Sequence, residues 1–153
     1  TFCVPLEESF FGVPSITVNV NGKDFRAIMD TGSPVTIMSP TAAEEADVKR
    51  KQLSEEDLQI KGVDDAAVGL SRSDGTVSIS IGDLLLEKPV AIGNLPGLSI
   101  ASNFSSSPGP QVLIGLDVLR RTYRMILRLP QNEIWFEKLP MKDGKFTIPD
   151  KRS

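Results

Sequence analysis

Hydrophobic and polar residues alternate in short runs along most of this chain, and those runs predict strands. Ser15-Ile16-Thr17-Val18-Asn19-Val20 alternates strictly, Asn21-Gly22 suits a two-residue hairpin turn, and residues 25–29 return. Residues 35–38 predict a third strand. A helix is expected next: Ser39 can cap it, Pro40 suits its first turn, and Thr41-Ala42-Ala43-Glu44 supplies a capping-box pattern. It should end near Val48, before a polar connection over 49–57.

Residues 58–63 and 68–71 read as hairpin arms around Asp64-Asp65-Ala66-Ala67. Alternation resumes at Thr76-Val77-Ser78-Ile79-Ser80-Ile81, and residues 84–92 return through Gly82-Asp83. The stretch GNLPGLSIASNFSSSPGP, 93–110, reads as a long mobile loop. Val112-Leu113-Ile114 is an unbroken apolar run and predicts a buried strand. Residues 117–123 predict a short helix capped by Asp117, and 125–129 with 132–137 a last hairpin. Trp135 and Phe136 fit either a core or a dimer interface. Ser71-Arg72-Ser73-Asp74-Gly75-Thr76 reads as a turn. The whole predicts an all-β domain over 11–137 with one or two short helices, an extension at 1–10, and a peripheral segment at 138–153. A length of 153 residues suits one such domain.

Composition narrows the chemistry. There is no histidine, which removes Ser-His and Cys-His nucleophile systems and the common zinc sites. The single Cys3 cannot form an internal disulfide. No metal or other cofactor is expected, so any chemistry falls to carboxylates, hydroxyls, lysines or backbone amides. A net charge of −3 gives no general attraction to nucleic acid or anionic membrane. The clusters Lys49-Arg50-Lys51 and Arg120-Arg121 are short and read as solvated faces. No apolar run reaches the roughly 18 residues that suggest a membrane span. Asn103-Phe104-Ser105 fits a glycosylation triplet of the kind that arises by chance. Starting at Thr1 without a signal-like segment, the chain reads as an excised domain, and with its single Cys it favours an intracellular setting.

One stretch stands apart. In AIMDTGSPVTIMSP, Asp30 follows an apolar strand and precedes a glycine turn, where a carboxylate is costly unless it is used. About eighty residues later comes Leu113-Ile114-Gly115, followed by Asp117 and Leu119. An Asx turn is the plain alternative for Asp30. A strand ending at Asp30 can deliver its carboxylate to the floor of a cleft, and Gly32 removes a side chain where backbone and substrate must come close. Ser33 can donate to a carboxylate. Thr36 either supports the active-site loop or simply favours a strand.

On these residues, 11–136 resembles the aspartic proteases, and its size resembles the single-domain retropepsins. Pro34 and Leu116 stand where retroviral members carry a paired acid and arginine, and Leu113-Ile114-Gly115-Leu116-Asp117-Val118-Leu119 is more similar to the cellular retropepsins of the DNA-damage-inducible type. The resemblance implies a closed barrel forming half of the two-domain acid protease architecture. It implies that Asp30 is catalytic, with Thr31, Gly32, Ser33, Leu113, Ile114 and Gly115 supporting its turn; Thr31 would bond across a symmetry axis. A flap is implied over 58–71, with Gly62, Val63, Ala66, Ala67, Val68 and Gly69 toward a peptide or protein substrate. Aspartic proteolysis needs two carboxyls, and the chain has one Asp-Thr-Gly. The implied enzyme is therefore a C2 homodimer, an endopeptidase with one Asp30 from each subunit. The competing class is a silent dimerisation or peptide-binding module on the same fold.

Overall fold

The computed structural model describes residues 1–10, 12–51, 70–95, 109–138, 141–142 and 145–146. The first two strands are β1 (Phe2–Pro5) and β2 (Glu7–Phe10). The alternating run forms β3 (Val13–Val20) and pairs antiparallel with β4 (Lys23–Met29), Val20 facing Lys23. Both turn residues between them take positive φ, Asn21 at 52° and Gly22 at 87°, as a type I′ hairpin requires. The Asn21 tip is tied down: its Oδ1 accepts from Ser78 N at 3.0 Å and its Nδ2 donates to Ala46 O at 3.1 Å.

After β4 the chain passes through Asp30 and returns as β5 (Ile37–Met38), shorter than expected. Helix α1 (Pro40–Glu45) follows, with Ser39 Oγ accepting from Ala42 N at 3.1 Å. No reciprocal capping-box bond is available, because the residue three positions after Ser39 is Ala42. The helix stops earlier than Val48 for a local reason. Asp47 adopts φ 55°, Val48 N donates to Ala43 O at 2.8 Å, and Asp47 N donates to Glu44 O at 3.1 Å. Those two reversed bonds form a Schellman ending.

The next strands are β6 (Arg50–Lys51), β7 (Ser71–Ser73), β8 (Val77–Ile81), β9 (Leu84–Lys88) and β10 (Ala91–Ile92). The hairpin expected through Gly82-Asp83 is β8–β9, pairing Ile81 with Leu84. Buried β11 (Val112–Ile114) leads into α2 (Leu116–Leu119), a single turn. The last hairpin is β12 (Thr122–Arg128) with β13 (Glu133–Lys138), and β14 (Met141–Lys142) pairs with β15 (Lys145–Phe146).

The main sheet runs β6-β7-β10-β5-β11-β4-β3-β8-β9, with β2 added to β3, and curls into a half-barrel. A second sheet has the order β1-β13-β12. Residues 1–10, read from the sequence as an extension, contribute Phe2, Val4 and Leu6 to the core. Phe2 stacks on buried Phe136 with ring centroids 5.3 Å apart. A Cβ at Gly82 would come within 2.7 Å of the Phe2 ring, so the β8–β9 turn closes on β1 at a point only glycine leaves open. Burying side chains of this size stabilises the fold by about 1.5–3 kcal/mol each. Phe136 is therefore core, while Trp135 is half-buried under the Arg128 guanidinium, 5.4 Å from the ring centroid.

Candidate active site

The site begins with an unusual strand order. β4 and β5 are the two arms of the loop that carries Asp30, yet they do not pair with each other. β11 lies between them, parallel to β4 and antiparallel to β5, placing Leu113 opposite both Ile28 and Ile37. The loop is thus held from inside by a strand whose every residue is buried. This is where the structure places Leu113, Ile114 and Gly115 relative to the Asp30 turn.

Hydrogen bonds fix the turn itself. Asp30 N donates to Ile114 O at 2.9 Å, and Ser33 N donates to Asp30 O at 3.2 Å. The Asp30 side chain is half-buried, and its Oδ1 accepts from Gly32 N at 2.8 Å. A Cβ on Gly32 would sit 3.1 Å from that same oxygen, so a larger residue would crowd the carboxylate. Thr31 is exposed beside it. Ser33 does not serve the carboxylate as expected: its Oγ donates to Val35 O at 2.7 Å and closes the loop instead.

Gly115 has a stronger reason to be glycine. A Cβ there would meet Val35 O at 2.3 Å and Ser33 O at 2.8 Å, both backbone atoms. Its φ of −96° is ordinary, so the requirement is close approach rather than conformation. The following Leu116 N donates to Ser33 O at 2.8 Å. Loop and φ-φ-Gly strand therefore meet backbone to backbone.

A small apolar cluster, Ile28, Ile37, Leu95 and Leu113 with Leu70 and Ala91 against it, is separate from the main core. Alternation along β4 puts Ile28 and Asp30 on one face and Met29 toward the main core. Ile28, Ile37 and Leu113 are cross-strand neighbours and so share that face. The carboxylate thus stands beside an apolar wall. Among the described residues no three His, Cys, Asp or Glu side chains gather as a metal site, and no helix is long and apolar enough to cross a membrane.

The aspartyl protease family profile matches residues 16–118, a span that holds both the Asp30 turn and Gly115. The chain belongs to the aspartyl protease family. The chain is 33% identical to DNA damage-inducible protein 1 of Neurospora crassa over 138 residues, 88% of this chain and 27% of that protein. It is also 33% identical to DNA damage-inducible protein 1 of Cryptococcus neoformans over 119 residues, 74% of this chain and 24% of that protein. The chain thus spans about a quarter of the length of these relatives. A retropepsin-like aspartic protease from Rickettsia conorii shares the fold with a TM-score of 0.53 at 14% identity, covering 88% of this chain and 87% of that one.

Within this aspartyl protease domain, two residues have roles that sequence reading left open or misplaced. Thr36 is fully buried and belongs to the site: its Oγ1 accepts from Gly115 N at 3.1 Å and donates to Asp117 Oδ1 at 2.7 Å. Asp117 does not cap a helix over 117–123. It lies in the first turn of α2, after the Gly115 N-cap, and its Oδ2 also accepts from Thr36 N at 3.1 Å. Lys88, at the end of β9, ion-pairs with the same carboxylate. The positions of Thr36 and Asp117 beside the two motifs were a readable signal; Lys88 had none. The expected flap residues Gly62, Val63, Ala66, Ala67, Val68 and Gly69 lie outside the described residues.

Proposed function

We propose that the domain is a homodimeric aspartic endopeptidase in which two Asp30 carboxyls, one from each subunit, activate a water. The observation that carries this reading is the Asp30 turn: one acid, backbone-clamped by Ile114 and Gly32, in a chain with no second Asp-Thr-Gly. The ionised carboxyl takes a proton from water as its oxygen adds to the peptide carbonyl carbon, and the protonated carboxyl gives its proton to the carbonyl oxygen. Collapse of that tetrahedral species breaks the C–N bond, and the nitrogen leaves with a proton from the dyad.

Two further features support it. Beside the turn, Ile28, Ile37 and Leu113 are buried with Leu95, a firm apolar footing that would hold the Asp30 carboxyl in place. The edge strand β12 exposes Ile126 and Leu127, and Leu129 follows it at 61% exposure, an apolar surface that a second copy would cover.

The test is cleavage of a peptide library by wild type and Asp30→Asn, with the oligomeric state measured on the same samples. Turnover by a wild-type dimer with a bell-shaped pH profile, and its loss in a still-dimeric Asp30→Asn, is the expected result. Equal cleavage by both proteins assigns the activity elsewhere. A dimer that binds peptides without cutting them identifies a silent module.

A further inference from the structure

Asp117 carries more bonds than a helix-turn aspartate needs. Its Oδ1 accepts from the Thr36 hydroxyl at 2.7 Å and from Val118 N at 2.9 Å; its Oδ2 accepts from Thr36 N at 3.1 Å and from Lys88 Nζ. Both ion-pair side chains are only 17% exposed. Lys88 comes from β9, at the far end of the main sheet, and none of its neighbours in sequence takes part in either motif. Yet three residues on, Ala91 N donates to Thr36 O at 3.0 Å. The segment 88–91 therefore grips Thr36 twice, once through its carbonyl and once through Asp117.

Thr36 is the junction of the site. It accepts from Gly115 N, and it follows directly on Val35, whose carbonyl leaves room for no Cβ at Gly115 and accepts the Ser33 hydroxyl. Ser33 in turn bonds Asp30 O and Leu116 N. Connected atoms thus run from the Lys88 ammonium through Asp117, Thr36, Val35 and Ser33 to Asp30. Four donors converge on the Asp117 carboxylate, and the only charged one among them anchors it in place most strongly. Lys88 supplies that charge.

We propose that Lys88 is a positioning residue for the Asp30 turn, acting through Asp117 and Thr36 to hold the loop against Gly115. With Lys88 replaced by an apolar side chain, the Asp117 carboxylate draws in water or shifts toward solvent, and the Thr36–Gly115 contact loosens. The main core does not share those bonds and keeps its packing. A displacement of the turn by less than 1 Å is enough to lower a reaction that depends on two carboxyls meeting one water. The consequence for turnover rests on the aspartic protease reading; the consequence for backbone protection does not.

Two measurements on the full domain separate these. In Lys88→Met, the amides of Thr36 and Gly115 should exchange with solvent about 10-fold faster, while those of Val18 and Ile79 in the core keep wild-type rates. In the peptide assay the same variant should lose about 10-fold in kcat with KM within about twofold. Lys88→Arg, which keeps the charge, should restore both readouts to within about threefold of wild type. The double variant Lys88→Met/Asp117→Asn, which removes both charges and keeps an acceptor for Thr36, should recover part of the exchange protection. Unchanged Thr36 and Gly115 exchange in Lys88→Met overturns the proposal, as does unchanged kcat in an active enzyme. Uniformly faster exchange that includes Val18 and Ile79 also overturns it, because the pair would then be holding the whole fold. If wild type cleaves nothing, the protease reading fails and the exchange pattern alone decides on the brace.

Discussion

Asp30 and Asp117 lie on either side of the same backbone contact, where the loop after β4 meets Gly115. Asp30 is half-buried and takes one bond from the Gly32 amide. Asp117 takes two bonds from Thr36, one from Val118 N and an ion pair from Lys88. The difference follows from use. On the proposed reading, a carboxyl that holds a water needs lone pairs left open, as the single bond to Asp30 leaves them. A carboxyl that must hold two strands in register is saturated with donors and charge-paired. On the brace proposed above, the saturated acid would fix the geometry of the open one.

The comparison is sharpest under substitution. Asp30→Asn should lower peptide cleavage by about 10³-fold or more while leaving the thermal midpoint near wild type, since little of the fold depends on its side chain. Initial rates and a melting curve on one preparation check both halves. Asp117→Ala should do the reverse first: it leaves both Thr36 donors and Val118 N without their acceptor, and urea unfolding should show a loss of about 2–4 kcal/mol. If Asp117→Ala unfolds no more easily than Asp30→Asn, the division of labour is wrong. Thr36→Val keeps shape but removes the acceptor for Gly115 N and the donor to Asp117, and should cost about 1–3 kcal/mol in the same assay. At the low end, Arg124→Ala breaks the pair with Glu137, whose side chains are 59% and 35% exposed. Its urea midpoint should stay within error of wild type at moderate salt, marking how little an ion pair contributes away from the patch.

Much of this was readable from residue order because it is local. The β3–β4 hairpin follows from strict alternation and from Asn21-Gly22, which accept positive φ. The Ser39 cap and buried β11 follow from similarly short signals. Asp30, Gly32 and Gly115 could be picked out because a costly acid and two glycines sit in apolar surroundings. What stayed hidden depends on partners far away in sequence. β1 pairs Phe2 with Phe136: the alternation of Phe2, Val4 and Leu6 suits a strand, but nothing local names a partner so far along the chain. The Ser33 hydroxyl had two plausible acceptors, and only the folded loop selects Val35 O over the carboxylate. Asp117 looked like a cap because helix starts favour Asp, whereas its bonds run to a threonine eighty-one positions earlier and a lysine twenty-nine positions earlier.

The strand threaded between the arms of the Asp30 loop also sets an order of events during synthesis. Val112 pairs with both Ala27 and Met38, so β4 and β5 each wait for a neighbour made much later. At typical elongation rates the interval between residues 38 and 114 lasts on the order of ten seconds. Throughout it the Asp30 amide lacks the Ile114 carbonyl it will bond, and one side of β4 is an open hydrogen-bonding edge. The nascent chain can complete the β3–β4 hairpin early, but not the clamp on its acid. A ribosome must pass Gly115 before the Asp30 turn can be locked.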